Sequence, residues 1–328
     1  MLDVKAEPVE VPGLGGDGIV PPRVTVGTGR GRLIATAEGS SHERFSTTDW
    51  ALLLTSATIW GSSFLLIAIG LDSLAPGTIT WLRIMFGFAA LSTLPATRRV
   101  RIAREDRARV ALVGLVWMAF PMSMFPLAEQ WIDSSVTGML NGALPLFSAA
   151  IAVLLLRRPP ARPQVIGLLV GFAGVVLVSL PSLRGTPRTA MGAALVVVAM
   201  VSYGLATNLV VPLQQKYGSL PVIWRAQAVA IVLTAPYGLA GLPSSSWAWR
   251  PILAVVVLGA FGTGFAFIAA GNLMGRVGAT RGSVLAYLIP VVAIVLGVVA
   301  HHEHVALIAL AGTGLILTGA WVTSRAGH

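Results

Sequence analysis

Beyond Asp49 the chain runs in long uncharged, mostly apolar stretches separated by short polar joints. Crossing a hydrocarbon core about 30 Å thick by helix takes roughly 20 residues, because each adds about 1.5 Å. Stretches of that length recur at 50–71, 73–97, 110–128, 134–156, 163–183, 189–215, 226–249, 251–275, 282–300 and 305–324. The second is interrupted by Arg83, and Arg225 stands at the start of the seventh. The pattern predicts an all-α polytopic membrane protein with ten transmembrane helices. The joints after the first and third stretches are a few residues long, which predicts tight antiparallel hairpins. Residues 1–48 mix Gly, Pro, Thr and both charges without periodicity. They read as a disordered cytoplasmic tail or as an extension ahead of the true start, and lack the apolar core of a cleaved signal.

Composition supports the bilayer as solvent: 55% of residues are hydrophobic, 11% are charged and the mean hydropathy is +0.80. The formal charge of +10 raises nucleic acid as a partner, but the arginines fall in short loops between apolar stretches rather than on one soluble face. No nucleic-acid partner is expected. The charge instead sets topology. The loop after the second stretch carries Arg98, Arg99, Arg101, Arg104, Arg107 and Arg109, which places it in the cytoplasm. Counting on from there puts both termini on the cytoplasmic side of a multi-pass protein of the cell (inner/cytoplasmic) membrane. The chain has no cysteine, which excludes disulfides, thiol catalysis and Cys-ligated metals.

The chain also matches itself at an offset of 145 residues. Gly114 falls on Gly259, Phe120 on Phe265, Leu140 on Leu285, Pro145 on Pro290, Gly167 on Gly312 and Gly174 on Gly319. Two copies of five helices follow, 49–183 and 189–324. Because five is odd, the second copy enters the membrane inverted. Inverted repeats suit secondary transporters, whose halves exchange conformations about a site near the midplane.

Several motifs, in order along these stretches, resemble the drug/metabolite transporter superfamily and specifically the EamA-type permeases. They are Trp60-Gly61-Ser62-Ser63-Phe64, Arg83, Glu129-Gln130, Ser134-Ser135 and Leu140-Asn141-Gly142-Ala143-Leu144-Pro145-Leu146-Phe147. The second copy adds Gly278-Ala279, Pro290-Val291 and Glu303. The resemblance covers roughly residues 50–323 and implies two five-helix repeats and transport of small metabolites or drugs. One departure stands out: the family commonly has an acidic residue after the fourth span, where this chain has Arg157-Arg158.

Ionisable groups within hydrocarbon cost roughly 3 kcal/mol or more on insertion scales, so the few retained are candidates for function. Arg83 could bind a carboxylate or phosphate bidentately, or serve as a structural ion pair or anchor. Glu129, near the outer end of the third span, is the candidate proton carrier; the alternatives are a hairpin cap or an Arg partner. Trp60, Ser63, Trp81, Asn141, Tyr203 and Tyr287 are candidate substrate-binding residues, with Trp117, Asn208 and Asn272 as further groups able to line a cavity. Interfacial belts and interhelical hydrogen bonds would explain most of these equally well. Pro145 and Pro290 are candidate helix kinks. His301, His302 and His304 flank Glu303, a set chemically suited to zinc, but their spacing in a short loop reads as a hairpin and no metal is expected.

The function these features predict is a secondary transporter that moves a small metabolite or drug, by export, through alternating access with proton coupling. It needs no cofactor and is not an enzyme: no P-loop for primary pumping and no intramembrane nucleophile with its base stand in the sequence. A non-transporting receptor or scaffold is the alternative, and a membrane-embedded enzyme a more distant one. The partners expected are a small-molecule substrate, the lipid bilayer and, as an option, a second copy in a homodimer.

Overall fold

The computed structural model describes residues 46–156, 160–277 and 285–325, without the side chains of 156, 274–277 and 324–325. The expected tail at 1–45, Arg157-Arg158 and the Gly278-Ala279 motif lie outside the described residues. Those that are described form helices and connecting turns, with no strand among them. The helices are α1 (Thr47–Leu71), α2 (Pro76–Ser92), α3 (Arg104–Ala128), α4 (Ser134–Leu155), α5 (Arg162–Leu183), α6 (Pro187–Tyr217), α7 (Ser219–Gly241), α8 (Trp249–Leu273), α9 (Leu285–His301) and α10 (Leu307–Arg325). Seven helices are long and apolar enough to cross a membrane, while α9 and the apolar part of α10 are shorter and α2 has 17 residues.

Local chemistry sets the ends. Ser46 accepts from the Asp49 backbone N–H while Asp49 reaches back to Ser46, a reciprocal cap on α1. Pro76, Pro163 and Pro187 stand in the first turns of α2, α5 and α6, where a missing N–H costs nothing. Gly218, at φ +81°, ends α6 in a conformation that few side chains tolerate, and α7 begins at the next residue. Because α7 starts at Ser219, Arg225 lies a turn and a half inside the helix rather than at its mouth.

Two helices depart from α geometry at matched positions. In α3 the segment Gly114–Ala119 is a π-helix, and in α8 so is Leu258–Phe265. At the sequence offset of 145 the first falls inside the second. A third helix, α4, breaks at Gly142 and Ala143, just before Pro145. Pro290 stands within α9 without breaking it.

The packing has a regular plan. Helices α5 and α10 pair along their length, α2 pairs with α7, and α4 with α9. Helix α1 touches α8 and α9, as α6 touches α3 and α4; α2 touches α8, as α7 touches α3. Exchanging each helix of the first five with its counterpart in the second five returns these principal pairings, whereas the contacts of α2 with α3 and of α5 with α6 have no equivalent of similar extent. The α5 and α10 seam is built from the repeated glycines: a Cβ on Gly174 would lie 2.5 Å from the Gly312 carbonyl oxygen, and one on Gly167 would lie 2.7 Å from that of Gly319. Such backbone contact between helices is open only to the smallest residues.

Candidate functional site

A cavity of about 510 Å³ lies where α1, α2, α3, α4, α6, α8 and α9 converge. It is mostly apolar and aromatic. Trp60, Phe267 and Trp117 form an edge-to-face chain with centroids 5.3 Å apart on one wall. On another, Phe125 stands 5.7 Å from Phe64 and 5.8 Å from Tyr203. Aromatic walls supply large contact area with few rotatable bonds. Polar atoms come from Ser63, Asn141, Ser148, Tyr203 and Thr207, with Ser148 and Thr207 hydrogen bonded at 2.8 Å.

Arg83 is the one charged residue among the lining side chains. It sits at the middle of α2, 6% exposed, and its Nε donates to Thr263 Oγ1 at 3.3 Å. No carboxylate among the described residues comes within ion-pair distance of it. The support for Arg83 is the π-segment of α8. A π turn displaces carbonyls from the regular ladder and offers them to neighbours. Trp60 Nε1 donates to the Gly262 carbonyl at 3.0 Å and Gln227 Nε2 to that of Thr263 at 2.5 Å. One widened turn of α8 thus holds side chains from α1, α2 and α7.

The prolines act on the same cavity. Proline cannot donate to the carbonyl four residues back, which for Pro145 is Asn141 and for Pro290 is Ala286. Asn141 and Ala286 both line the cavity, and they are repeat counterparts.

The cavity follows the halves of α4 and α9 nearer the arginine-rich face, through Ser148, Ala152, Leu285 and Ala286. The opposite halves of these helices are packed together. Gly138 abuts Ala293, Gly142 abuts Pro290, and an added Cβ on Gly297 would lie 3.0 Å from Ser135 Cβ. Glu303, in the loop between α9 and α10, fastens that end. Its Oε1 accepts from Ser134 N at 2.9 Å and Ser134 Oγ at 2.6 Å, and its Oε2 from Ser135 N at 2.8 Å. A carboxylate thereby satisfies the free N–H groups at the start of α4. Burial pushes the Glu303 carboxyl up, but its bonds from Ser134 and Ser135 outweigh this and hold it below the usual range. Nearby Asp133 is raised by burial and by the Glu303 charge.

Of the sequence candidates, Trp60, Ser63, Arg83, Asn141, Tyr203, Pro145 and Trp117 meet at the cavity. Trp81, Tyr287, Glu129, Pro290, Asn208 and Asn272 do not line it. Trp81 packs against Gly238 of α7, Asn208 donates to the carbonyls of Ser148 and Gly204, and Asn272 is exposed. Glu129, at the end of α3, has both carboxylate oxygens buried without a hydrogen-bond partner among the described residues. Its backbone closes the helix at the C-cap position, but its carboxylate neither caps the hairpin nor forms an ion pair among the described residues. Arg225 donates to the carbonyls of Pro221, Thr97 and Val100, so it ties α7 to the loop after α2. The described histidines form no group able to hold a metal ion; His301 Nδ1 stands 3.5 Å from Glu303 Oε1. Thr263, Gln227, Phe267, Ser148 and Thr207 were not among the candidates. The last two were legible, since Asn141, Pro145, Ser148 and Ala152 share one helical stripe and Tyr203 and Thr207 another.

Comparison with known proteins agrees with this architecture. The model of the EamA-like transporter family matches twice, at residues 50–180 and 190–325. An uncharacterized transporter of Archaeoglobus fulgidus is 28% identical over 279 residues, which span 84% of this chain and 98% of that protein. A probable terminal-alkyne amino-acid exporter of Streptantibioticus cattleyicolor is 26% identical over 289 residues, 86% of this chain and 95% of that one. A protein of known crystal structure superposes with a TM-score of 0.58 at 21% identity, covering 86% of this chain and 99% of that one, a likeness of fold. With the family model matched along both halves of an apolar helical bundle, the chain belongs to the EamA-like transporters of the drug/metabolite transporter superfamily, and is a multi-pass membrane transporter.

Proposed function

We propose that this protein is a secondary carrier that exports a small metabolite bearing a carboxylate or similar anionic group on an apolar body, by alternating access coupled to protons. The observation that carries the reading is Arg83: a lone guanidinium held by a neutral hydroxyl, facing an aromatic cavity that offers it no carboxylate. A substrate anion would complete its hydrogen bonding.

Ten spans in two inverted copies of five supply the mechanism. The exchange-related principal pairings, the matched π-segments and the paired prolines speak for that arrangement. With the arginine-rich loops in the cytoplasm, the cavity end of α4 and α9 opens to that side, where both termini also lie in this scheme. The conformation is then inward-facing, with the outer ends of α4 and α9 closed by Glu303. Transport requires those ends to part while the inner halves meet. Glu129 is the proton carrier of this scheme, since burying a carboxylate without a partner penalises its charged form far more than its neutral one and so favours uptake of a proton.

The test is uptake and efflux in proteoliposomes, with a panel of amino acids and organic acids and an imposed pH gradient. Gradient-driven flux is expected for a carboxylate substrate, and Glu129→Gln should leave exchange but remove its response to the gradient. Flux that responds to the gradient equally in that variant would remove Glu129 from the scheme, and absence of flux across the panel would oppose a carboxylate substrate.

A further inference from the structure

A second hollow, of about 550 Å³, lies between the loop after α2 and helices α3 and α7. Arg101, Arg107 and Arg225 line it together with Val110, Ala228 and Val229. The order of these residues is the informative feature. On α3, Val110 follows Arg107 by three positions; on α7, Ala228 and Val229 follow Arg225 by three and four. Both helices therefore pass, on one face, from arginine to a small apolar side chain within a single turn. Arg101 precedes α3, Arg107 stands in its first turn and Arg225 a turn and a half into α7, with the apolar residues deeper along both helices. That is the polarity of a phospholipid, with its phosphate at the interface and its chain in hydrocarbon.

The three arginines are not equivalent. Arg225 is fixed by its bonds to the carbonyls of Thr97, Val100 and Pro221, which holds the loop against α7. Arg101 and Arg107 are exposed and make no ion pair or hydrogen bond among the described residues. By contrast Arg109, close by, is paired with Asp106, and Lys216 with Asp106 and Glu105. Local carboxylates thus neutralise the charges beside the hollow and leave Arg101 and Arg107 free within it.

We propose that this hollow binds one anionic glycerophospholipid, its phosphate between Arg101 and Arg107 and an acyl chain against Val110, Ala228 and Val229. The loop after α2 and helix α7, which Arg225 ties together, form its walls, so occupancy would brace the α2, α3 and α7 cluster. The inference depends on the chain spanning a bilayer, and not on the substrate or coupling proposed above.

The full chain, purified and stripped of lipid in a neutral detergent, is titrated with phosphatidylglycerol, with phosphatidylcholine of the same chains, and with inorganic phosphate, following thermal unfolding. Phosphatidylglycerol should stabilise at the lowest concentration. The double variant Arg101→Gln/Arg107→Gln should need roughly thirty-fold more, given the contribution of each basic residue near an anionic headgroup. Arg99→Gln/Arg104→Gln, which removes the same charge from exposed positions outside the hollow, should titrate like the parent. Ala228→Trp keeps every arginine, fills the apolar half and should abolish the preference for phosphatidylglycerol. The proposal is overturned if phosphatidylcholine or inorganic phosphate stabilises equally well, or if the control pair loses as much as the Arg101 and Arg107 pair. It is overturned too if Ala228→Trp leaves the titration unchanged.

Discussion

Arg83 shows how one residue concentrates the chemistry of a mostly apolar bundle. Its stem is buried in α2, its Nε is held by Thr263, and its remaining donors belong to a cavity without acidic lining. The guanidinium is planar and presents a two-pronged edge, whereas an ammonium is a point charge. Arg83→Gln is therefore expected to weaken a carboxylate substrate by roughly ten- to a hundred-fold, the worth of hydrogen bonds to a charged group, with unchanged membrane insertion. Arg83→Lys should recover only part of that loss. Binding measured by tryptophan fluorescence on detergent-solubilised protein gives the answer, and equal affinity in all three proteins would assign Arg83 a structural role. From the sequence Arg83 was conspicuous because charges are rare in apolar stretches. Its partner Thr263 was not, because a threonine in a span has no such contrast with its surroundings.

Among the elements, α4 and α8 do most to shape the site, each by departing from regular geometry. Pro145 and Pro290 are both candidate kinks in the sequence, since proline removes a donor wherever it stands in a helix; α4 breaks at Gly142 and Ala143 just before Pro145, while α9 runs through Pro290 without a break. The π-segments have no such signal, because Gly114–Ala119 and Leu258–Phe265 contain no residue that compels a wider turn. The start of α4 depends on Glu303 from a distant part of the chain. Glu303→Ala should cost about 1–2 kcal/mol by stripping the cap from Ser134 and Ser135. The folded protein holds this carboxyl below its usual range, so its contribution is present above the unfolded pKa and is lost as pH falls through the folded one. The difference in melting temperature between parent and Glu303→Ala should accordingly be full at neutral pH and shrink below the ordinary glutamate range. Asp133 beside it is raised rather than lowered, by burial and by the Glu303 charge. A difference that stays constant into the acid range would exclude ionised Glu303 as the cap.

At the scale of the molecule, the pairing of α4 with α9 decides which end of the cavity is closed. The absence of cysteine makes this directly testable. Ser135 and Gly297 face each other across the closed end: an added Cβ on Gly297 lies 3.0 Å from that of Ser135, slightly inside the spacing a disulfide needs, and closer still to Glu303 Oε2, so the carboxylate must shift to admit it. In the double variant Ser135→Cys/Gly297→Cys, oxidation should replace the carboxylate clamp with a covalent one and arrest transport, and reductant should restore it. Full cross-linking with undiminished flux would show that these ends need not separate.

The sequence by itself determined the membrane class, the run of apolar helices and the family, because bilayer thickness imposes a length on every span and a duplicated chain keeps its glycines and prolines in register. It also picked out Trp60, Ser63, Arg83, Asn141 and Tyr203, since polar and aromatic groups stand out against aliphatic stretches. Only the tertiary structure decided which of the candidates share one cavity, and it left Trp81, Tyr287 and Glu129 outside its lining. Helical period fixes which residues share a face, but all faces of these helices are apolar, so nothing in the pattern distinguishes the face toward lipid from the face toward the cavity. That choice is made by close packing at Gly138, Gly174 and Gly312, where the absence of a side chain lets one helix approach another. The clamp of Glu303 on Ser134 and Ser135 belongs to the same class: it spans about half the chain, and its partners are named only once the helices are in place.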